Sequence, residues 1–168
     1  MEDQPRYEPL EASHFFKDGQ SARPWIAGTV PRDHLRIDEH LYTGKSKGNF
    51  VETFPFPITH EILERGQERY NIYCTVCHDQ TGNGNGMIVK RGFHPPPSFH
   101  IDRLREAPAG QLFDTVTNGF GAMSGYAIEI SPEDRWAIVA YLRALQLSQQ
   151  AQLSDLPEKE RQKLEQEK

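Results

Sequence analysis

The chain has 168 residues, 36% of them hydrophobic, a mean hydropathy of -0.70 and a formal net charge of -5. That length fits one domain with extensions and leaves no room for two full domains. The negative charge argues against a nucleic-acid partner, and no apolar run approaches the roughly 18 residues of a membrane-spanning helix.

The first segment, residues 1–57, carries six of the 12 prolines and eight aromatics: Tyr7, Phe15, Phe16, Trp25, Tyr42, Phe50, Phe54 and Phe56. No helical or alternating period lasts in it. It predicts an extended arm with little regular structure. Disordered tails are poor in aromatics, so the arm is expected to bury its rings, and a partner protein is favoured over the chain's own domain. Met1-Glu2-Asp3-Gln4-Pro5 is acidic and polar and shows no secretory signal. An export signal is therefore expected upstream of Met1, and a lipid-bearing cysteine there would serve as well.

The compact domain is expected over residues 58–148. Thr59 predicts a helix N-cap, with Ile62 and Leu63 opening a helix that runs through Gly66, Tyr70 and Ile72. Cys74-Thr75-Val76-Cys77-His78 follows. Two cysteines three positions apart with histidine directly after the second form the attachment pattern for c-type haem. The thiols add across the two vinyl groups of the porphyrin, and the next side chain is carried beneath the iron, where an imidazole serves as axial ligand. One covalent haem c is therefore predicted, with Cys74 and Cys77 as its anchors and His78 as iron ligand. A structural disulfide leaves the histidine unexplained, and a thioredoxin-like pair would follow a strand, whereas the run before Cys74 reads as helix. A zinc site usually needs four Cys or His ligands; with two cysteines and seven histidines, a Cys2His2 set is the remaining alternative.

Thr81-Gly82-Asn83-Gly84-Asn85-Gly86 predicts a tight loop. Pro95-Pro96-Pro97 cannot be helical and predicts a rigid extended passage. A short helix is expected over residues 108–118, with Leu112, Phe113 and Val116 on one face and Gly119 as its stop. Ser131 as N-cap and Pro132 at the first helical position open the last domain helix, which carries Trp136, Val139, Ala140, Arg143 and Leu147. Residues 149–168 form a charged tail, helical or disordered.

A six-coordinate carrier needs a second axial ligand, and a thioether raises the reduction potential over bis-histidine. Of three methionines, Met123 is favoured over Met87 and Met1. It lies far enough from His78 to reach the opposite haem face and follows the flexible Gly119-Phe120-Gly121-Ala122. His94 and His100 are the remaining candidates.

Gly66-x-x-x-Tyr70, the Cys74–His78 motif, Met123 and the helix bearing Trp136 and Tyr141 together resemble class I cytochrome c. The resemblance implies an all-α fold around one covalent haem, with the arm and the tail as additions. It also implies that the first helix crosses the last at Gly66 and Tyr70, against Trp136 and Tyr141. Further, it places a proline carbonyl, from Pro95, Pro96 or Pro97, on the ligand imidazole, and Pro96, Pro97, Phe120 and Tyr126 in the haem pocket. Ser124 stands where that family often has proline after the ligand methionine.

More narrowly, residues 3–10, 65–74, 86–89, 117–123 and 134–141 resemble the monohaem cytochrome c subunit of bacterial alternative complex III. This implies electron transfer within a membrane-bound quinol-oxidising complex, toward a soluble carrier or terminal oxidase. The implied place is the periplasmic face of the bacterial cytoplasmic membrane, held by partner subunits or by an N-terminal lipid. No residue is expected to act as a catalytic acid, base or nucleophile. The alternative is a diffusible periplasmic shuttle.

Overall fold

The computed structural model describes residues 4–24, 26–32 and 35–166. Met1 and Trp25, weighed above as ligand and anchor, lie outside them. The chain divides into two units, Met1–Ile37 and Asp38–Lys168.

The first unit is irregular, with one isolated bridge between Ala12 and Gln20. Gly19 turns with φ 71 and its carbonyl accepts from the Ser13 N–H at 2.9 Å. Arg23 closes this turn by pairing with Asp18 at 2.8 Å and lying 4.0 Å over the Phe16 ring. Many apolar side chains remain uncovered within it, among them Leu10 (88% exposed), Phe15 (82%) and Ile37 (81%).

The second unit begins at α1, Glu39–Thr43, capped by the Asp38 carboxylate, which accepts from the Leu41 N–H at 3.0 Å. Two short strands follow, β1 Lys45–Ser46 and β2 Asn49–Phe50, paired antiparallel with Lys45 opposite Phe50. Then come α2, His60–Tyr73, and α3, Thr75–His78, separated only by Cys74. A short α4, Asp102–Arg105, leads to α5, Ala109–Asn118, which ends at Gly119 as predicted. Strands β3 Gly119–Phe120 and β4 Met123–Ser124 form a hairpin with Gly121 at φ 59 in its two-residue turn. The long α6 spans Pro132–Ser148, and α7 spans Glu158–Gln166 in the tail. The domain is mostly helical, and the two small antiparallel ladders depart from the all-α expectation.

The caps behave as read. The Thr59 hydroxyl accepts from Ile62 N–H, the Ser131 hydroxyl accepts from Asp134 N–H at 3.2 Å, and Pro132 takes the first turn of α6. Helices α2 and α6 cross at Gly66, where a Cβ would stand 2.0 Å from the Ala137 carbonyl oxygen. The Tyr70 and Tyr141 rings meet beside it at 5.4 Å. Arg65 clamps the same pair of helices by a two-bond contact to Asp134, at 2.7 and 2.9 Å.

Trp136 does not belong to this crossing, contrary to expectation. It projects from the other side of α6, fully buried, stacked on Phe113 at 4.5 Å with Phe54 edge-on at 5.7 Å. Its indole N–H donates to the Leu41 carbonyl at 2.9 Å. Leu41, Val51, Phe54 and Phe56 pack on this cluster. The compact unit thus starts at Asp38 rather than Ile58, because an irregular segment supplies one wall of the core. A chain starting at Ile58 is expected to be less stable than one starting at Asp38 by on the order of 3 kcal/mol, since it exposes Trp136 and Phe113. Urea unfolding of the two haem-loaded chains measures the difference; equal midpoints would mean that residues 38–57 add no core.

Candidate haem site

The thiols sit where α2 runs into α3. The Cys74 N–H bonds to the Tyr70 carbonyl at 2.8 Å, and the Cys77 and His78 N–H groups both return to the Cys74 carbonyl, at 3.1 and 2.9 Å. This turn puts Cys74 and Cys77 three positions apart on one helical face, with His78 next in chain. Both thiols are free and partly buried. Burial pushes the Cys74 thiol up to about 12, and Cys77 beside it adds to the effect. Burial thus favours the neutral thiol of Cys74 at ordinary pH.

His78 is also withdrawn from water. Burial lowers its pKa to about 4, opposed only in part by Asp79. Its imidazole is therefore neutral across physiological pH and keeps a lone pair for a metal. Its Nδ1 is buried with no hydrogen-bond partner. The expected proline carbonyl contact is not made: Pro96 O packs on Gly84, and the Pro95 carbonyl lies 3.0 Å from His94 Nδ1. Instead the His78 ring stacks on Phe99, with centroids 4.4 Å apart and 16° between planes.

The glycine-rich loop closes this turn. The last carbonyls of α3 have no partner within the helix. Gly84 N–H donates to His78 O at 3.0 Å, Gly86 N–H to Cys77 O at 3.0 Å and Ile88 N–H to Val76 O at 3.1 Å. So close an approach requires glycine: a Cβ on Gly86 would meet Val76 O at 2.4 Å. The Tyr70 hydroxyl donates to the Asp79 carbonyl at 2.7 Å, fixing the backbone just past His78.

The Asp79 carboxylate organises the loop from within. It accepts from Thr81 N–H and hydroxyl, both at 2.8 Å, and from Asn85 N–H at 2.9 Å. Burial acts to raise its pKa, but the Asn85 and Thr81 donors outweigh it and hold the carboxyl below the usual range. Stability from such a group is full above the unfolded value near 4 and is lost as pH falls through the folded one. Asp79→Asn is expected to cost about 1 kcal/mol at pH 7. The gap to wild type should narrow at an acid pH below the usual carboxylate range, where wild-type Asp79 takes up its proton. Denaturant midpoints at the two pH values check this, and a gap independent of pH would contradict it.

The other expected pocket residues divide. Tyr126 lies at the site: its ring is 6.2 Å from Tyr73, and its hydroxyl pKa is raised first by burial and then by both cysteines. The Tyr126 N–H donates to Val116 O at 2.9 Å, which ties the Met123 hairpin to α5. Phe120 is 77% exposed and pairs with Met123 across the hairpin. Pro96 is half-buried and Pro97 exposed. His100, a candidate ligand, is committed elsewhere, with Nε2 2.7 Å from the Thr81 carbonyl. His94 and His100 have five residues between them, a zinc-compatible spacing. Among the described residues, however, no three His, Cys, Asp or Glu side chains gather to hold a metal ion. Phe99 is the site residue that pattern reading missed; an aromatic inside a loop has no period to betray it.

These residues fit a covalent haem. Two free thiols share a helical turn, a neutral imidazole follows them, and apolar side chains stand uncovered on the flanking loops (Met87 57%, Phe93 65%, Ile128 96% exposed).

Residues 61–142 match the family model described as Cytochrome C oxidase, cbb3-type, subunit III, just under half of the chain. No curated protein matches the chain. Among solved structures it is similar to the Kuenenia stuttgartiensis reducing HAO-like protein complex Kustc0457/Kustc0458, at 21% identity and a TM-score of 0.49. That alignment covers 64% of this chain and 54% of the other, so it spans about half the length of that protein. It is also similar to the KustC0563 c-type cytochrome, at 20% identity and a TM-score of 0.41, over 48% of this chain and 95% of that one. The matched segment contains the thiol pair, His78 and Met123; it is similar to a cytochrome c domain, which implies covalently bound haem c as cofactor and electron transfer as its work.

Proposed function

We propose that this chain is a monohaem class I cytochrome c serving as a fixed electron relay in a membrane-bound quinol-oxidising complex similar to alternative complex III. Cys74 and Cys77 would hold the haem by thioether bonds, with His78 and Met123 as axial ligands. When bound, haem c supplies an iron that takes up and gives off one electron at a time. The chain's part is to hold His78 neutral and oriented, to exclude water with Tyr70, Phe99 and Tyr126, and to fix the turn that carries the thiols. Its place would be the periplasmic face of the cytoplasmic membrane, passing electrons to a soluble carrier or terminal oxidase.

The observation that carries the fixed-subunit reading is the first unit. Among its described residues Leu10, Phe15, Ile26, Leu35 and Ile37 are 64–88% exposed. An apolar surface so open is a cost in water and an asset against a partner. The second reading, a diffusible shuttle, has one observation in its favour: the unit from Asp38 onward has its own buried clusters. Among the described residues no helix is long and apolar enough to cross a membrane; the attachment in this reading is through partner subunits or an N-terminal lipid.

Gentle solubilisation of source membranes followed by affinity capture of the tagged chain separates the two. Recovery in a stoichiometric assembly, with quinol-dependent reduction of its haem, is expected. Recovery as a lone soluble haem protein would leave the shuttle.

A further inference from the structure

The stack of Phe99 on His78 raises the question of what holds Phe99. Its N–H donates to the Gly82 carbonyl at 2.9 Å, and its carbonyl accepts from Gln146 Nε2 at 2.8 Å. Gln146 lies on α6, near the far end of the chain, and is only 7% exposed. The same Nε2 reaches Leu104 O at 3.2 Å, and Oε1 accepts from Arg143 Nη1 at 2.8 Å. A buried amide is costly unless every polar atom is paired. Here every one is paired, and one bond fixes the backbone of the residue stacked on the ligand.

The imidazole itself has little else to orient it. Rotation about its Cβ–Cγ bond is broad. Its Nδ1 has no hydrogen-bond partner, so the Phe99 face is the ring contact that sets its plane. Tyr70 supports Phe99 from behind, with centroids 6.4 Å apart at 61°.

We propose that Gln146 is a positioning residue for the haem ligand: it anchors Phe99, and the Phe99 ring fixes the plane of the His78 imidazole. This rests on His78 being an axial ligand. In a low-spin ferric haem the plane of an axial imidazole sets the order and spread of the four ring-methyl hyperfine shifts, so the plane can be read directly.

The test is proton NMR of the ferric haem-loaded chain. Gln146→Glu keeps the size and the acceptor for Arg143 but removes the N–H donors to Phe99 and Leu104. Gln146→Met removes every hydrogen bond at similar volume and serves if the first variant does not fold. Phe99→Leu removes the ring, and Phe99→Tyr restores it. The Gln146 variants and Phe99→Leu are expected to change the methyl pattern, and Phe99→Tyr to keep that of wild type. A wild-type pattern in the Gln146 variants beside a changed one in Phe99→Leu overturns the role of Gln146. Wild-type patterns throughout overturn the inference whole. His78→Ala separates the underlying assignment: an unaltered ferric absorption spectrum in that variant would refute His78 as ligand, whatever Gln146 does.

Discussion

Gly66→Ala is expected to destabilise the haem-loaded domain by about 3 kcal/mol or more. The added Cβ would stand 2.0 Å from the Ala137 carbonyl oxygen and 3.0 Å from the Tyr141 Cβ. The obstacle is helix backbone, which cannot rotate aside as a side chain can, so α2 and α6 must separate. Separation loosens the Tyr70–Tyr141 contact and the Arg65–Asp134 clamp with it. Tyr70 also holds the backbone after His78, so the damage should reach His78, the proposed iron ligand. A thermal melt followed at the haem absorption and in the far ultraviolet measures both, and a midpoint within a degree or two of wild type would show that the helices do not cross at this glycine.

Met123→Ala is expected to change ligation. A thioether favours ferrous iron, and its loss lowers the potential. A fall on the order of 100 mV is expected, within the roughly 0.8 V that axial ligation spans. The ferrous variant should also bind carbon monoxide at neutral pH, which the native protein should not. The hairpin of Met123 is held to α5 through Tyr126 N–H and Val116 O, so the loop should keep its place when the sulfur is removed. Wild-type ferric spectra and potential in the variant would remove Met123 from the iron and return Met87 to consideration.

How far the sequence reaches depends on whether burial leaves a period. The caps at Thr59 and Ser131, Pro132 in the first turn of α6 and the stop at Gly119 are local chemistry, and each stands where the residues place it. Gly66 and Tyr70 are legible by another route, the resemblance to class I cytochrome c, which implies that the first and last helices cross at a glycine beside aromatic contacts. Trp136 misleads because α6 is apolar around most of its girth, so spacing cannot say which flank meets which neighbour. Its cover comes from Leu41, Val51, Phe54 and Phe56, in a stretch of turns and two-residue strands with no repeat. The same limit hides Phe99 and Gln146. The first sits in a loop and the second is a polar residue on a buried face, and only their hydrogen bond, spanning 47 positions, reveals that they act together.

The central claim is a covalent haem on the Cys74–His78 turn, and intact-mass spectrometry of the chain purified from a host that matures c-type cytochromes tests it most directly. The account predicts a mass raised by one haem under denaturing conditions, with the addition confined to the peptide bearing Cys74 and Cys77 and lost in the Cys74→Ser, Cys77→Ser double variant. A chain at its bare polypeptide mass, or a haem released by acid and solvent, would contradict it.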